Sequence, residues 1–254
     1  QVQNLTTSQV AALTSDQLSA LTSDQLNALE SRDLQVLTTG QVQSLTTVQV
    51  AALSTDQIQN LTSSQVAKLG SDQLRALTSD QLNAIESADL QVLASAQLRS
   101  LTTAQVSELS TDQVQNLTSS QVAMLTTDQV RALTTDQLNA LESVDLQALT
   151  STQLRSLTTL QINNLSTDQV QALTTSQVAA LTGSQVGALN SDQLVALESR
   201  DLQALSSTQL QALSTEQLAS LSTDQMPLLS SGQIRALTTA QVANLTTSQV
   251  ANMT

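Results

Sequence analysis

The sequence predicts an all-α solenoid of very short capped helices, one per octapeptide, and three observations predict it. An aliphatic residue recurs every eighth position without an insertion, each recurrence is followed by a helix-capping pattern, and no single continuous helix can use that spacing. From Leu5 to Leu245 every eighth residue is Leu, with Ile85 the one internal substitution, and Met253 closes a series of 32 positions. Five residues after each Leu stands a second aliphatic, as at Val10, Leu18, Leu26, Leu34 and Val42. The consensus octad is Leu-Thr-Ser/Thr-x-Gln-Val/Leu-x-x.

Each element of the octad has a physical reading. Thr14-Ser15-Asp16-Gln17 before Leu18 places a capping Thr three residues ahead of a Gln, the reciprocal pattern that opens helices. Asp16 in the first turn suits the positive end of the helix dipole. The following Leu-x-x-Leu puts two aliphatics on one face. Eight residues advance a 3.6-residue helix so that the Leu row drifts by about 80° per octad, so a continuous helix would have no coherent apolar stripe and must break. The Thr-Ser/Thr pair is the expected break, since these side chains compete for backbone hydrogen bonds and favour caps. The residue before Gln varies freely (Ser8, Asp16, Arg32, Val48, Leu160), which predicts a solvent-facing site. A β-solenoid is the alternative, because Thr and Val favour strands and Gln or Thr rows suit stacked coils. Its corners want Gly, Asn or Asp, and the chain has 5 Gly.

One Leu and one Val or Leu per octad cannot offset the entropy of ordering eight residues, so octads must share a core with their neighbours. The whole of 1–254 then reads as one continuous array. Both ends fall mid-repeat, which predicts either further repeats or a second copy covering the apolar ends. A second period overlies the first. The octads Glu30-Ser31-Arg32-Asp33, Glu86-Ser87-Ala88-Asp89, Glu142-Ser143-Val144-Asp145 and Glu198-Ser199-Arg200-Asp201 recur every 56 residues, as do Arg75 with Arg131 and Asn27 with Asn83 and Asn139. Duplication of a seven-octad block explains this plainly. The sharper reading is that seven octads close a whole number of superhelical turns and bring the Glu-x-x-Asp sites to one face.

Composition excludes whole classes of function. With no His and no Cys, soft-metal sites and the usual acid-base and thiolate chemistries lose their groups. A net charge of −13 (21 acidic, 8 basic residues) and the absence of aromatic rings make nucleic acid a poor partner. No apolar stretch is long enough to span a bilayer, the residues Gln1-Val2-Gln3-Asn4 resemble no signal peptide, and no small-molecule substrate or cofactor is indicated. The absence of Cys fits a reducing compartment or a staple-free surface protein; the low Lys content and acidic, Thr-rich surface lean towards secretion by a bacterium.

Candidate sites are few. Glu30 with Asp33, Glu86 with Asp89, Glu142 with Asp145, and Glu198 with Asp201 each set two carboxylates three residues apart, a weak match to calcium, which wants six to eight oxygens. The plainer reading is an alternative cap in which Ser31 and Asp33 replace Thr and Gln. The same pairs could serve glycosidase chemistry only in a cleft, and none is signalled. Asn4, Asn60, Asn116, Asn164 and Asn244 open glycosylation sequons, with Asn252 a sixth, but any Asn ahead of the fixed Leu-Thr makes one automatically. Thr rows also suggest an ice-binding lattice, although adjacent hydroxyls are already explained by capping. Pro227, the only proline, sits inside a helix pattern and marks either a local kink or a third-position helix site where the missing donor is tolerated.

The runs Leu21-Thr-Ser-Asp-Gln-Leu and Leu125-Thr-Thr-Asp-Gln-Val resemble octapeptide repeats of very large bacterial surface or secreted proteins of adhesin-like type. That resemblance covers the whole chain, carries no catalytic or ligand residues, and implies export and a role as stalk, fibre or sheath. The expectation is a non-catalytic, extracellular or cell-surface fibre whose main partner is itself, with a stalk in a giant adhesin, a solenoid that binds a peptide or protein and an ice-binding surface as alternatives.

Overall fold

The structure is a computed structural model that describes residues 2–252; Met253 lies outside them. Among the described residues there are 30 α-helices of four to six residues, two 3-10 segments (Val2–Asn4 and Met226–Leu228) and no strand, which removes the β-solenoid. The chain forms two compact units, Gln1–Ala132 and Leu133–Thr254, and each is a helical solenoid built on the same octad rule.

The octad from Leu109 shows the rule. Ser110 is an extended N-cap (φ −65°, ψ 154°) whose Oγ accepts from Gln113 N–H at 3.1 Å, while Ser110 N–H donates back to Gln113 Oε1 at 3.2 Å. Leu109 precedes the cap, and Val114 is the fourth residue of the helix Thr111–Gln115; both are buried. Apolar residues at these two places clamp the entry of the chain into the helix, the hydrophobic staple. The helix stops when the next Leu turns extended, as Leu53 does after Thr47–Ala52 (φ −58°, ψ 144°). This exit needs no left-handed residue, and no described residue has positive φ, so the chain manages with five glycines.

A helix this short leaves most of its carbonyls without intrahelical donors. The Gln side chain of another turn supplies them. Gln113 Nε2 donates to the carbonyls of Leu82 (3.0 Å) and Ile85 (2.9 Å), and Gln193 Nε2 to those of Ile162 (3.0 Å) and Leu165 (2.7 Å). The same offsets, 31 and 28 residues back, recur through both units, from Gln49 to Gln105 in one and from Gln169 to Gln249 in the other. A second row runs the opposite way: Asn83 Nδ2 donates to Glu108 O (2.8 Å), Gln91 Nε2 to Asn116 O (2.6 Å) and Gln211 Nε2 to Ala236 O (2.7 Å), all 25 residues ahead. Neighbouring turns therefore lie between 25 and 31 residues apart, so one turn takes about 28 residues, or three and a half octads. Each helix packs on the helix three octads away, as Ser79–Ala84 does on Thr55–Gln59 and on Thr103–Glu108, while its Gln reaches the end of the helix four octads back. It thus straddles the joint between two helices of the adjacent turn. Seven octads, 56 residues, make two turns, so the higher-order period is a structural one inside each unit.

The core is the two aliphatic rows. From Leu26 to Leu229 every member of both rows is at most 7 % exposed, and the free site before Gln faces solvent, with Val48 at 70 % and Leu160 at 66 %. Leu5, Leu13 and Leu21 of the first turn are only half-buried, which shows how much of the burial comes from the neighbouring turn. Pro227 lacks the N–H for an i→i−4 bond, and its octad forms turns and a 3-10 segment in place of an α-helix. Met226 still fills the core position at 1 % exposure, so the change stays local.

Gln113→Ala removes two donors to buried carbonyls and the cap acceptor; we expect a loss of about 2–4 kcal/mol in urea unfolding, with Val48→Ala at an exposed site close to neutral. Two glycines should respond in opposite senses. A Cβ on Gly187 would lie 2.6 Å from the Ala212 carbonyl of the next turn, whereas one on Gly40 meets nothing within 4 Å. Gly187→Ala should cost about 1–3 kcal/mol by overpacking and Gly40→Ala should gain about 0.4–1 kcal/mol, both read from thermal unfolding.

Candidate functional site

The Glu-x-x-Asp octads are the only recurrent departure from the Gln rule. In these octads Glu takes the N-cap position and makes no side-chain capping bond, as at Glu30, Glu86, Glu142 and Glu198. Ser31 is therefore the first helical residue and not the cap, which corrects part of the sequence reading. Asp33 does take over one duty of Gln, since its Oδ2 accepts Glu30 N–H at 3.3 Å.

In two of the pairs the Glu carboxylate is engaged by an arginine and not by a site shared with its Asp. Glu30 and Glu198 lie at the surface and pair with Arg32 and Arg200, each at 2.7 Å. Asp33, Asp89, Asp145 and Asp201 are all buried, at 8 % exposure or less. Their neighbours come from another turn: Thr7 Oγ1 donates to Asp33 Oδ1 (2.9 Å), and Thr175 Oγ1 to Asp201 Oδ1 (2.7 Å). Among the described residues no three acidic side chains gather around one point.

Shallow open grooves lie beside Glu86 in the first unit and Glu198 in the second. The first is lined by Gln59, Asn83, Glu86, Asp112 and Asn116, and the second by Gln171, Val195, Leu197, Glu198 and Arg200. Ser87 Oγ donates to Asp112 Oδ2 at 2.7 Å and so ties the Glu86 helix to the turn beside it. Within the first unit, Asp24, Glu30, Asp56, Asp80, Glu86 and Asp112 fall near multiples of 28, so this edge of the solenoid carries an acidic stripe.

The sequon asparagines end their helices in exposed positions. Asn60, Asn116, Asn164 and Asn244 each donate Nδ2 to the carbonyl four residues back at 2.7–2.8 Å, and the hydroxyl of each sequon caps the next helix, as Thr62 does for Gln65 N–H (3.3 Å). Asn4 is exposed at the end of the first 3-10 segment. Both functional groups of these sequons are thus engaged in the fold. Three sets of contacts were invisible to sequence reasoning: the 26-residue Thr–Asp bonds, the 25-residue Asn and Gln bonds, and the 28- and 31-residue Gln bonds. The signal for the first was the exchange of Gln for Asp at one fixed place in every 56 residues.

This combination of capped octads and turn-to-turn side-chain bonds defines a tandem-repeat protein with a helical solenoid fold. The chain belongs to the ALTTAQ repeat family, whose model matches residues 1–31, 26–63, 82–119, 115–143, 138–175, 171–199, 194–231 and 228–254. Ala236-Leu237-Thr238-Thr239-Ala240-Gln241 reproduces that motif letter for letter and spans the end of one helix, the cap and the Gln of the next. No curated protein matches the chain. Among the described residues no helix is long and apolar enough to cross a membrane.

Thr175→Val keeps the shape of the side chain and deletes the hydroxyl that donates to buried Asp201. We expect a loss of about 1–3 kcal/mol in thermal unfolding, whereas removing the surface partner Arg200 should change stability by less than about 1 kcal/mol.

Proposed function

We propose that this chain is a non-catalytic structural array that forms an extracellular fibre at a bacterial surface by associating with further copies of itself, end to end or side by side. The observation that carries this reading is the turn-to-turn interface. One side of a turn presents Gln amide donors and the other presents carbonyls at helix ends, and both sides carry the same aliphatic rows. Any turn is therefore complementary to any other turn obeying the octad rule, whether it belongs to the same chain or to another copy. The acidic stripe opposes side-by-side packing at low salt and relaxes as salt screens it. Catalysis has little to build on at the Glu-x-x-Asp octads, since Glu86 and Asp112 line an open groove and Glu30 and Glu198 pair with arginines.

The alternative is a spacer within a larger adhesin-like protein, in which the same interface serves only consecutive turns. Negative-stain electron microscopy with analytical ultracentrifugation separates the two. Filaments that lengthen with protein concentration support self-assembly; particles that stay monomeric up to high concentration and across salt concentrations reject it in favour of the spacer.

A further inference from the structure

Asp201 stands where its neighbours in the octad series carry Gln. On one side Gln193 donates to the carbonyls of Ile162 and Leu165, and on the other Gln209 donates to those of Val178 (3.1 Å) and Leu181 (2.8 Å). The same register sets position 201 against the carbonyls of Val170 and Leu173. A carboxylate has no proton to offer them, and Asp is one methylene shorter than Gln, so the place held elsewhere by the amide nitrogen is vacated. Asp201 is fully buried. Its Oδ1 accepts from Thr175 Oγ1, and its Oδ2 has no hydrogen-bond partner. The nearest arginine in sequence, Arg200, is engaged at the surface by Glu198.

We propose that this slot binds an alkali-metal cation of sodium size, held by oxygens alone: the Asp201 carboxylate, the Thr175 hydroxyl and the carbonyls of Val170 and Leu173. A buried charge is costly unless paired, and a buried carboxylate facing carbonyl dipoles is costlier still. One monovalent cation neutralises the single carboxylate and gives the two carbonyls the positive partner that Gln supplies in other octads. Calcium fits less well, since it wants six to eight oxygens and is held tightly by several carboxylates, and Glu198 is turned away to Arg200.

The test compares thermal unfolding of the whole chain in sodium, potassium and choline chloride at equal ionic strength, for the wild type, Asp201→Asn and Asp201→Gln. Asp201→Gln restores the common octad and is expected to fold; Asp201→Asn keeps the size of the side chain and removes its charge. Binding predicts a wild-type midpoint about 2–4 °C higher in sodium than in choline, with the difference abolished in both variants. Equal wild-type midpoints in the three salts would mean that no alkali cation occupies the slot, and would overturn the proposal. A difference that persists in both variants would assign the effect to other carboxylates of the chain, buried or exposed, and overturn the assignment to Asp201 equally.

Discussion

The fold hangs on a primary amide. Helices of four to six residues cannot satisfy their own carbonyls, and in this chain water does not reach the ones at the core. A Gln at the third helical position solves both ends at once. Its oxygen closes the N-terminus of its own helix, and its nitrogen closes the C-terminus of a helix one turn away. No other residue has an acceptor and two donors on an arm of that length without charge. Apolar burial supplies the bulk of the stabilisation, while the amide sets the register within the octad, because only shifts by whole octads bring every Gln to a pair of carbonyls.

Much of this was legible in the sequence. Thr14 with Gln17, the buried rows through Leu18 and Leu29, and the exposed sites at Arg32, Val48 and Leu160 all follow from the order of residues within an octad. What lies beyond the octad was not legible. The 28-residue turn depends on the angle between successive helices, and no residue within an octad encodes that angle. For the same reason Gln read as a capping residue only, with its second bond unseen. The four Asp residues read as cap residues or weak calcium ligands beside Glu, with nothing in the octad to show that they are buried. The 56-residue period was the one trace of the turn, and duplication explains it just as readily from sequence alone.

These two explanations are compatible. A block of seven octads spans two turns, so Asp33 in the first unit and Asp201 in the second meet the same kind of neighbour, a threonine hydroxyl 26 residues back. Departures from the rule are absorbed where they occur. Pro227 converts one helix to a 3-10 segment while Met226 holds the core, and Gly187 lets one pair of turns approach where other octads carry side chains. Each octad meets only a few others, so a local fault has no long path along which to spread.

The half-octad left over in each turn has a mechanical meaning. Because a turn holds three and a half octads, every helix bridges the joint between two helices beside it, as bricks do in a running bond. No line of joints passes straight from one turn to the next. A pull on either unit would therefore meet no ready-made seam, and the load would pass through hydrogen-bonded helices at each step. Failure under tension would come as unwinding from a free edge, one octad at a time, with small and nearly equal steps of force.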